Sequence, residues 1–452
     1  MVVTGVCIDT RTLEVGQAFF AIHGHHLDGH GFVREAAGRG AACLVVDALP
    51  DDPPAGVAVV LVDDTTRALG RLAAWHRERF TVPVAAVTGS NGKTTTKEMM
   101  AAVLGTQGPV LKPEGSFNNQ WGLPLTLLQL TEAHRAVVLE LGANHPGEIA
   151  ALAALARPTV GAVTLVASAH TEFFGSLDGV QAEKAALVAA IPPEGAVVLN
   201  ADDARVLAMR ERSRARVLTV SASCAAVDAD VRAVGAPVAT AEGLVLTLEA
   251  RGVRRTARLA FAGAHNATNA LVAAGVGVAL GMPLAEIVRG LEAARPAKGR
   301  CVWRLAGPLR LLDDTYNANP TNVRAALEVL AAAPGRRVVV LADMLELGEI
   351  AEEAHRVAGR AVAAAGVAEL IGVGPLSRFT VEAARVAGLA EAHHAATFED
   401  TMVVLLKRLA PGDAVLVKGS RGMRMERVMD ALVARFGPER PFAEAAPAGG
   451  GR

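Results

Sequence analysis

The chain has 452 residues, a formal net charge of −1 and a pI near 6.9. This length predicts about three domains at roughly 150 residues each, and the charge balance gives no electrostatic reason to expect nucleic acid or an anionic membrane as a partner. Apolar residues make up 51% of the chain, but aromatic residues only 4%. We therefore predict a core of Ala, Val and Leu, which suits parallel strands covered by helices on both faces.

The cysteines and the start of the chain favour a cytoplasmic protein. The four cysteines are Cys7, Cys43, Cys224 and Cys301. No two are close enough for a C-x-x-C motif, and such sparse usage fits a reducing compartment. The opening MVVTGVCIDTR has no basic region followed by an apolar run, so we expect no secretory signal. The uncharged run at 270–285 is too short to span a bilayer, so we expect no membrane insertion.

Short β-branched runs alternate with Ala/Leu helical patterns along the chain. In order, the runs are AACLVVD, VPVAAVTGS, AVVLELGAN, VGAVTLV, GAVVLNADD, LRLLDDTYN, RRVVVLADM, ELIGVG and DAVLVKGS. Each run leads into a loop and then a helix, which is the pattern of βαβ units. The sequence therefore predicts an α/β fold built on parallel sheets.

Two segments between these patterns predict domain boundaries. Residues 80–83 separate a basic helical stretch from a long apolar strand, and residues 294–307 are rich in Pro, Gly and Arg. The predicted domains are 1–81, 82–302 and 303–436, followed by a tail at 437–452 that we expect to be disordered.

The stretch VPVAAVTGSNGKTTTKEMM, residues 82–100, is similar to a phosphate-binding loop but fails the usual spacing G-x-x-x-x-G-K-[ST], because the position five before Gly92 is Val87. The required parts are present nevertheless: glycines that let N–H groups face an anion, a lysine for the β/γ oxygens and a hydroxyl for Mg²⁺. A strand before and a helix after favour a shorter nucleotide loop over a chance glycine turn. The predicted ATP-binding loop comprises Gly89, Ser90, Asn91, Gly92, Lys93, Thr94 and Thr95.

Three polar residues follow within the same predicted domain. Glu140 lies inside an apolar run, where a carboxylate is costly unless it is paired or bound to a metal; the alternative is an edge-strand glutamate that faces water. His170 comes after the next strand, where an ordinary loop histidine is the simpler interpretation. Lys184 lies in a helix beside apolar residues. Either it is a solvated lysine, or it is desolvated, which would lower the pKa and leave a reactive neutral amine.

Two further segments admit two interpretations each. GAHNATNA places His265, Asn266 and Asn269 at the start of an apolar helix. Paired amides suit an adenine edge, because an amide is donor and acceptor together, whereas the alternative is that Asn266 caps the helix. HGHHLDGH, residues 23–30, lacks the spacing of a zinc finger and has no nearby cysteine. We interpret it as a glycine-rich loop with solvated histidines.

Eight motifs occur in the order found in one family. They are VTGSNGKTTTKEM, FNNQWGLPLTLL, LELGANHPGEI, AHTEFFGSLDGV, FAGAHNATNAL, DDTYNANP, ADMLELG and LVKGSRG. The chain resembles the Mur ligases of bacterial cell-wall synthesis from about Asp9 to about Met429, and TYNANP with ELGANHPGEI points to the branch that adds D-alanyl-D-alanine. The short loop alone identifies only a wider group, which includes folylpolyglutamate synthase.

The resemblance implies an N-terminal domain that binds the UDP end of the substrate, a central P-loop ATPase and a C-terminal Rossmann-like domain. The third domain lacks G-x-G-x-x-G after its first strand, so we do not predict NAD. The implied substrate contacts are Thr10, Arg11, Asp28, His30, Asn118, Asn119, Lys418, Ser420 and Arg421. His23, His25 and His26 are left without a role.

The resemblance also implies the catalytic centre. Lys93 and Thr94 would hold the triphosphate and its Mg²⁺, Glu140 one Mg²⁺ and His170 a second. Lys184 matches a carbamylated lysine whose carbamate helps to hold the second metal. The implied catalytic residues are Lys93, His170 and Lys184, and the implied nucleotide contacts beyond the loop are His265, Asn266, Asn269, Asp314, Tyr316, Asn317 and Asn319.

The implied reaction joins UDP-N-acetylmuramoyl-tripeptide to D-Ala-D-Ala through an acyl phosphate, with ATP converted to ADP and phosphate by a monomeric cytoplasmic enzyme. The alternatives are another Mur ligase or a folylpolyglutamate synthase-like ligase, a P-loop kinase, and a non-catalytic ATP-binding scaffold. The shortened loop disfavours the kinase. The presence of Lys93, Glu140, His170 and Lys184 disfavours the scaffold.

Overall fold

The computed structural model describes residues 2–24, 27–115, 117–167, 171–223, 228–240 and 243–441. These residues form three sheets, which follow one another along the chain. No helix among them is long and apolar enough to cross a bilayer. Cys7, Cys43 and Cys301 carry free thiols, and Cys224 lies outside the described residues.

The first sheet consists of four parallel strands in chain order. Its strands are β1 (Val6–Cys7), β2 (Ala18–Phe20), β3 (Cys43–Val46) and β4 (Ala58–Leu61). Its helices are α1 (Val33–Gly38) and α2 (Thr65–Glu78). Because the strands are parallel, the loops after β1, β2 and β3 all leave at one edge of the sheet.

Helix α2 belongs to the first predicted domain but is anchored to the second. The Arg77 guanidinium is buried and donates to the carbonyl oxygen of Ala156 in the second domain at 3.2 Å, as well as to that of Phe80 at the domain boundary at 2.6 Å. The Trp121 indole donates to the Thr66 hydroxyl at 3.0 Å. These bonds fix the helix on the central domain, so it is a packed element rather than a free linker.

The second sheet is built around the predicted parallel strands. Its strands are β5 (Val84–Thr88), β6 (Val110–Leu111), β7 (Ala136–Glu140), β8 (Val160–Val163), β9 (Ala196–Asn200), β10 (Arg216–Ser221), β11 (Val231–Ala233), β12 (Val238–Thr240), β13 (Gly243–Ala250) and β14 (Val253–Leu259). Its order is β12-β13-β11-β10-β9-β8-β5-β7-β6, with β14 paired to β13. Its helices are α3 (Lys93–Leu104), α4 (Gly122–Leu127), α5 (Glu148–Ala156), α6 (Thr171–Phe174), α7 (Leu177–Ala190), α8 (Ala204–Ala208), α9 (Asn266–Ala279) and α10 (Leu284–Ala293).

An antiparallel extension of this sheet was not predicted. Strands β5 to β11 pair in parallel, but β13 runs antiparallel to β11, β12 and β14. The sequence GLVLTLEA of β13 alternates buried and half-buried residues, which is the pattern of a strand with one covered face. A search for βαβ units alone passes over such a hairpin.

Helix α9 is buried along nearly its whole length, which explains its run of small and apolar residues. It packs against α3 and against strands β9 and β10. A Cβ on Gly275 would lie 2.7 Å from a methyl group of Val198, so helix and sheet approach closely there. This packing fixes the first residues of α9 beside the start of α3.

The third sheet has a parallel centre and an antiparallel margin. Its strands are β15 (Val302–Ala306), β16 (Leu309–Asp314), β17 (Arg337–Ala342), β18 (Glu369–Val373), β19 (Ala392–Ala395), β20 (Ala414–Lys418) and β21 (Glu439–Pro441), in the order β19-β18-β17-β20-β16-β15-β21. Its helices are α11 (Pro320–Ala331), α12 (Ala351–Ala364), α13 (Ser377–Val386), α14 (Phe398–Arg408) and α15 (Glu426–Phe436). The loops after β16 and β20 leave side by side, because these strands are parallel neighbours.

Each predicted domain contains one sheet, except that β15 begins at Val302, one residue before the third predicted domain. The predicted disorder of 437–452 is wrong for Glu439–Pro441, which pair antiparallel with β15. Residues 442–452 lie outside the described part of the chain.

Candidate active site

The shortened loop connects β5 to α3 and fits its surroundings only with glycine at two positions. Gly89 has φ +145, and a Cβ there would lie 1.9 Å from the Thr164 hydroxyl oxygen; Gly92 has φ +83, and its Cβ would lie 2.3 Å from Asn269 Oδ1. Ser90 Oγ donates to the carbonyl of Ala167 at 2.9 Å. The loop is therefore held by contacts with the end of β8 and with α9.

Lys93 is the first residue of α3, and its side chain folds back over the loop. The ammonium donates to the carbonyl of Gly89 at 2.8 Å and to that of Ser90 at 3.4 Å, and burial lowers its pKa. Thr95 is half-buried in the first turn of the same helix. A cation at a helix start, over a loop of N–H groups, is the arrangement that binds phosphate.

Glu140 is buried at the end of β7 and is held by two donors. The Thr94 hydroxyl donates to Oε2 at 2.8 Å and the Asn118 amide donates to Oε1 at 2.7 Å. Strand β7 lies between β5 and β6, so the alternative of an edge-strand glutamate facing water is wrong. Asn119 accepts from the N–H of Gly122 at 2.9 Å and so stabilises the start of α4.

Arg300 brings a second positive charge to the loop and was missed by the sequence analysis. Its Nη2 donates to the Thr94 hydroxyl at 2.8 Å, and its guanidinium lies 3.6 Å from the centre of the Tyr316 ring. Such stacking holds a guanidinium in one orientation. The only sequence signal was a basic residue in the Gly- and Pro-rich segment 294–307, which predicted a boundary.

Asparagines connect the loop to the third sheet. Asn319 Nδ2 donates to Asn91 Oδ1 at 2.8 Å, and Asn322 Nδ2 lies 3.4 Å from the same oxygen. Asn319 also caps α11, since its side chain accepts from the N–H of Asn322 at 2.9 Å. The predicted loop and the segment DDTYNANP are thus in direct contact.

Lys184 is buried in α7, with only 3% of its surface exposed. Burial, with repulsion from Lys93 as the next cause, lowers its pKa to about 7, while Glu183 and Glu148 act in the opposite direction. The interpretation as a desolvated lysine is therefore correct and that as a solvated lysine is wrong. His170 lies outside the described residues.

The amides at the start of α9 are used within the protein. Asn269 accepts from the Thr96 hydroxyl at 3.2 Å and donates to Asn266 Oδ1 at 2.8 Å, and Asn266 donates to the carbonyl of Ala262 at 2.7 Å. The residue before the helix is His265, so Asn266 does not cap it. Both amides are buried, whereas His265 is exposed. Contact of these three residues with adenine stays a prediction, and His265 is the most accessible of them.

A buried ion pair lies beneath the DDTYNANP segment. The Lys418 ammonium is fully buried and donates to Asp314 Oδ2 at 2.5 Å and to the carbonyl of Asn317 at 2.8 Å. Ser420 is also buried and accepts from the N–H of Leu345 at 2.8 Å. In this arrangement Lys418 and Ser420 organise the neighbouring loops, and their contact with substrate stays a prediction, whereas Arg421 is exposed beside the Tyr316 ring at 5.8 Å.

The predicted residues of the first domain lie at one edge of its sheet, away from these contacts in sequence. Thr10 is buried and Arg11 is exposed after β1, where Arg11 pairs with Asp9 at 2.6 Å. Asp28 and His30 follow β2, with 2.7 Å between Asp28 Oδ1 and His30 Nδ1. The histidines of residues 23–30 were interpreted as solvated. This is wrong for His30, because only 17% of its side chain is exposed.

The site has the donor set of a magnesium centre. The Thr94 hydroxyl and the Glu140 carboxylate are hard oxygen ligands of the kind that Mg²⁺ takes, and they lie next to a loop suited to phosphate. Both oxygens contact each other, so one ion could replace the proton between them. The residues present therefore fit the metal that the loop motif predicts.

Comparison with known proteins decides the family. Three family models match in succession: "Mur ligase family, catalytic domain" over residues 2–77, "Mur ligase middle domain" over 87–277 and "Mur ligase, glutamate ligase domain" over 299–421. The UDP-N-acetylmuramoyl-tripeptide–D-alanyl-D-alanine ligase of Escherichia coli (strain K12) is 39% identical, over 94% of this chain and 93% of that protein. The chain belongs to the Mur ligase family.

This Mur ligase is also 32% identical to the Bacillus subtilis (strain 168) protein of the same name, over 96% of this chain and 93% of that protein. MurF from Acinetobacter baumannii matches with a TM-score of 0.87 and 33% identity, over 96% of this chain and 94% of that chain. MurF ligase from Thermotoga maritima in complex with ADP matches with a TM-score of 0.83 and 26% identity, over 96% and 97%. The predicted family and the three-part α/β fold are confirmed.

Proposed function

We propose that this Mur ligase adds D-alanyl-D-alanine to UDP-N-acetylmuramoyl-tripeptide in an ATP-dependent step of peptidoglycan precursor synthesis in the cytoplasm. The 39% identity to the Escherichia coli enzyme of that name supports the choice of substrates. The observation that carries the reaction type is the convergence of Lys93, Arg300 and the Thr94–Glu140 pair on one loop. Such a cluster suits the transfer of a phosphoryl group from a nucleotide.

The proposed reaction activates a carboxylate, which is otherwise a poor electrophile. A carboxylate oxygen of the tripeptide attacks the γ-phosphorus of ATP. The bond between the γ-phosphorus and the β,γ-bridging oxygen breaks, so that ADP departs and the tripeptide carries an acyl phosphate. The amine of D-alanyl-D-alanine attacks the acyl carbon, loses a proton and expels phosphate. Lys93 and Arg300 stabilise the negative charge on the phosphoryl group during transfer.

Oxygen donors on α3 and β7 would hold magnesium. Bound Mg²⁺ supplies further charge neutralisation for phosphoryl transfer. We assign one ion to Thr94 and Glu140, which already share a proton at 2.8 Å. Asn118 keeps the Glu140 carboxylate in place through its 2.7 Å bond. A second ion at His170 stays a prediction.

We further propose that Lys184 carries a carbamate. CO₂ adds to the neutral amine with loss of a proton, and a pKa of about 7 leaves much of the amine neutral in the cytoplasm. The product is an anion where a cation stood. Its interaction with Lys93 would therefore change from repulsion to attraction, and the new oxygens would be suitable metal ligands.

Roles for the remaining residues follow from position. Thr10, Arg11, Asp28 and His30 would contact the UDP end of the substrate from the edge of the first sheet. Tyr316 would act by orienting Arg300, on which it stacks. Asn319 would act through its hydrogen bond to Asn91 of the loop. Closing three domains around ATP and two substrates can contribute about 7–11 kcal/mol by orientation. We propose that the enzyme acts as a monomer, because Arg300 and Asn319 reach the loop within a single chain.

Phosphate release by the purified full-length chain tests the proposal. With ATP, Mg²⁺ and UDP-N-acetylmuramoyl-tripeptide, release should require D-alanyl-D-alanine and should not occur with single amino acids. Release with another amine instead would identify a different Mur ligase. ATP binding without release for any amine would indicate a scaffold, and a Lys93→Ala variant supplies the inactive control.

A further inference from the structure

Four side chains at the edge of the first sheet form a closed ring of alternating imidazoles and carboxylates. His23 Nε2 lies 3.0 Å and His30 Nε2 3.1 Å from Asp47 Oδ1. On the opposite side, His23 Nδ1 lies 3.3 Å and His30 Nδ1 2.7 Å from Asp28 Oδ1. The ring joins the loop after β2 to the end of β3; the proposed ligation uses Asp28 and His30 as substrate contacts but gives no role to His23 or Asp47.

The hydrogen bonds of His30 fix its tautomer. The N–H of Asp47 donates to His30 Nε2 at 3.2 Å, so this nitrogen is an acceptor. The proton is then on Nδ1, which donates to Asp28 Oδ1 at 2.7 Å. Asp47 Oδ1 lies 3.1 Å from the same nitrogen, so a metal ion that displaced the Asp47 N–H would meet an imidazole nitrogen and a carboxylate oxygen side by side.

The second imidazole converges on the same point. His23 Nε2 is 3.0 Å from Asp47 Oδ1, and the His23 and His30 rings stack with centroids 4.7 Å apart. One donor atom from each of His23, His30 and Asp47 lies within 4.8 Å of the other two. Tetrahedral zinc with bonds of about 2.0–2.1 Å separates its ligands by roughly 3.3 Å, so small side-chain rotations would complete the geometry.

Residues 22–23 and 28–29 are held against each other, and the site is open to solvent. A Cβ on Gly29 would lie 2.5 Å from the backbone nitrogen of Ile22, so the chain doubles back tightly there. His23 and Asp28 form a β-bridge. The His23 side chain is 58% exposed, whereas those of His30 and Asp47 are 17% exposed, which leaves a path for an ion and a place for a water ligand.

We propose that His23, His30 and Asp47 bind one Zn²⁺, with water as the fourth ligand. Two imidazole nitrogens and one carboxylate oxygen suit zinc and disfavour Mg²⁺, which takes oxygen ligands. Asp28 orients His30 through its Nδ1 proton, as carboxylates do behind metal-bound histidines. The site is separate from the magnesium centre of the proposed ligation and does not depend on it.

Zinc binding by the full-length chain tests this site. Zn²⁺ is titrated against a chromophoric chelator, with excess Mg²⁺ to occupy the central domain, at slightly alkaline pH where imidazole is neutral. Wild type should bind one zinc that His23→Asn weakens by about tenfold or more. His393→Asn is the matched control, because His393 also lies near two carboxylates, at 3.2 Å from Glu391 and 3.8 Å from Glu369.

His23 is not among the residues proposed to bind substrate, and its side chain is exposed, so the variant should fold. Zn²⁺ should raise the melting temperature of wild type and of His393→Asn but not of His23→Asn. An Asp47→Asn variant should lose the same ion. The proposal is overturned if wild type takes up no zinc under these conditions, or if His23→Asn and His393→Asn bind it equally.

Discussion

Arg300 donates to the Thr94 hydroxyl at 2.8 Å, although 206 residues separate the two in sequence. The guanidinium is stacked on Tyr316. Tyr316, a residue of the third domain, thereby orients the Arg300 cation toward the loop of the second domain. The stacking of Arg300 on Tyr316 therefore makes the loop and the third domain parts of one site.

Replacing Arg300 tests that arrangement. Arg300→Ala should lower the rate of phosphate release by roughly 100- to 1,000-fold, because one preorganised donor for a developing anion is lost. Arg300→Lys should recover little, since it cannot stack and donate at once. Arg295→Ala removes an exposed arginine of the same segment and should leave the rate unchanged. Equal rates for Arg300→Ala and wild type would exclude the role.

The low pKa of Lys184 predicts a stability that depends on pH. Below pH 7 the lysine is charged in both the folded and the unfolded chain. Between about pH 7 and about pH 10.4 it is charged only in the unfolded chain, which then holds one proton more. The free energy of unfolding therefore rises with pH across this range. Lys184→Met lacks this dependence. In CO₂-free buffer, Lys184→Met should melt at a higher temperature than wild type. This difference in melting temperature should be largest below pH 7 and smallest near pH 10.

The exposed Lys407 supplies the control for this measurement. Lys407→Met should show the same pH profile as wild type. If the difference between Lys184→Met and wild type does not change between pH 6 and pH 10, the lysine does not titrate in that window, and the buried neutral amine is excluded.

A chemical rescue tests the carbamate. Lys184→Ala should lose activity by roughly 100-fold or more, because a charged group at the metal centre is lost. A small carboxylic acid added to the assay should restore part of the activity by filling the space with an anion. Lys407→Ala should be active and indifferent to the acid. Full activity of Lys184→Ala without any additive would contradict a metal-bridging role.

The fit of the loop against α9 predicts a defect in nucleotide binding. In Gly92→Ala the new methyl group would meet Asn269 Oδ1 at 2.3 Å, so ATP affinity should fall by about tenfold or more, equal to about 1.4 kcal/mol. Gly281→Ala is the control, since φ is +80 there but the space is open. It should cost about 1–2 kcal/mol of stability and leave the ATP dissociation constant unchanged, as measured by calorimetry.

The buried pair of Lys418 and Asp314 predicts a large loss of stability. Lys418→Met leaves the Asp314 carboxylate, whose side chain is only 13% exposed, without its cation, which should cost about 3–5 kcal/mol of unfolding free energy. Arg360→Met removes the exposed pair with Glu353 and should cost less than about 1 kcal/mol. Urea unfolding of the third-domain transition measures both, and similar midpoints for the two variants would contradict the prediction.

The sequence predicted the parallel strands and the residues that follow them, because parallel strands collect their carboxyl ends at one edge. Glu140 illustrates the limit: its apolar context left two interpretations, and only the position of β7 inside the sheet excluded one. For Lys184 the same choice was decided by burial.

Arg300 could not be predicted in this way. Its contact with Thr94 depends on where Tyr316 lies in space, and local composition indicated only a boundary. Similarly, the ring around His23 needs Asp47, which comes from the end of a different strand. Spacing rules for zinc sites detect ligands that are close in sequence, so they fail when a sheet edge assembles the ligands.

Through Asn91, the shortened loop contacts the third domain in addition to its proposed binding of phosphate. Asn91 touches Asn319, 228 residues further along the chain, so any nucleotide that shifts the loop also shifts one half of this contact. The affinity for nucleotide and the placement of the third domain are then thermodynamically linked, and each must influence the other by the same factor. Changes selected for altered nucleotide use should accumulate at both ends of this pair, even though only one end lies in the loop.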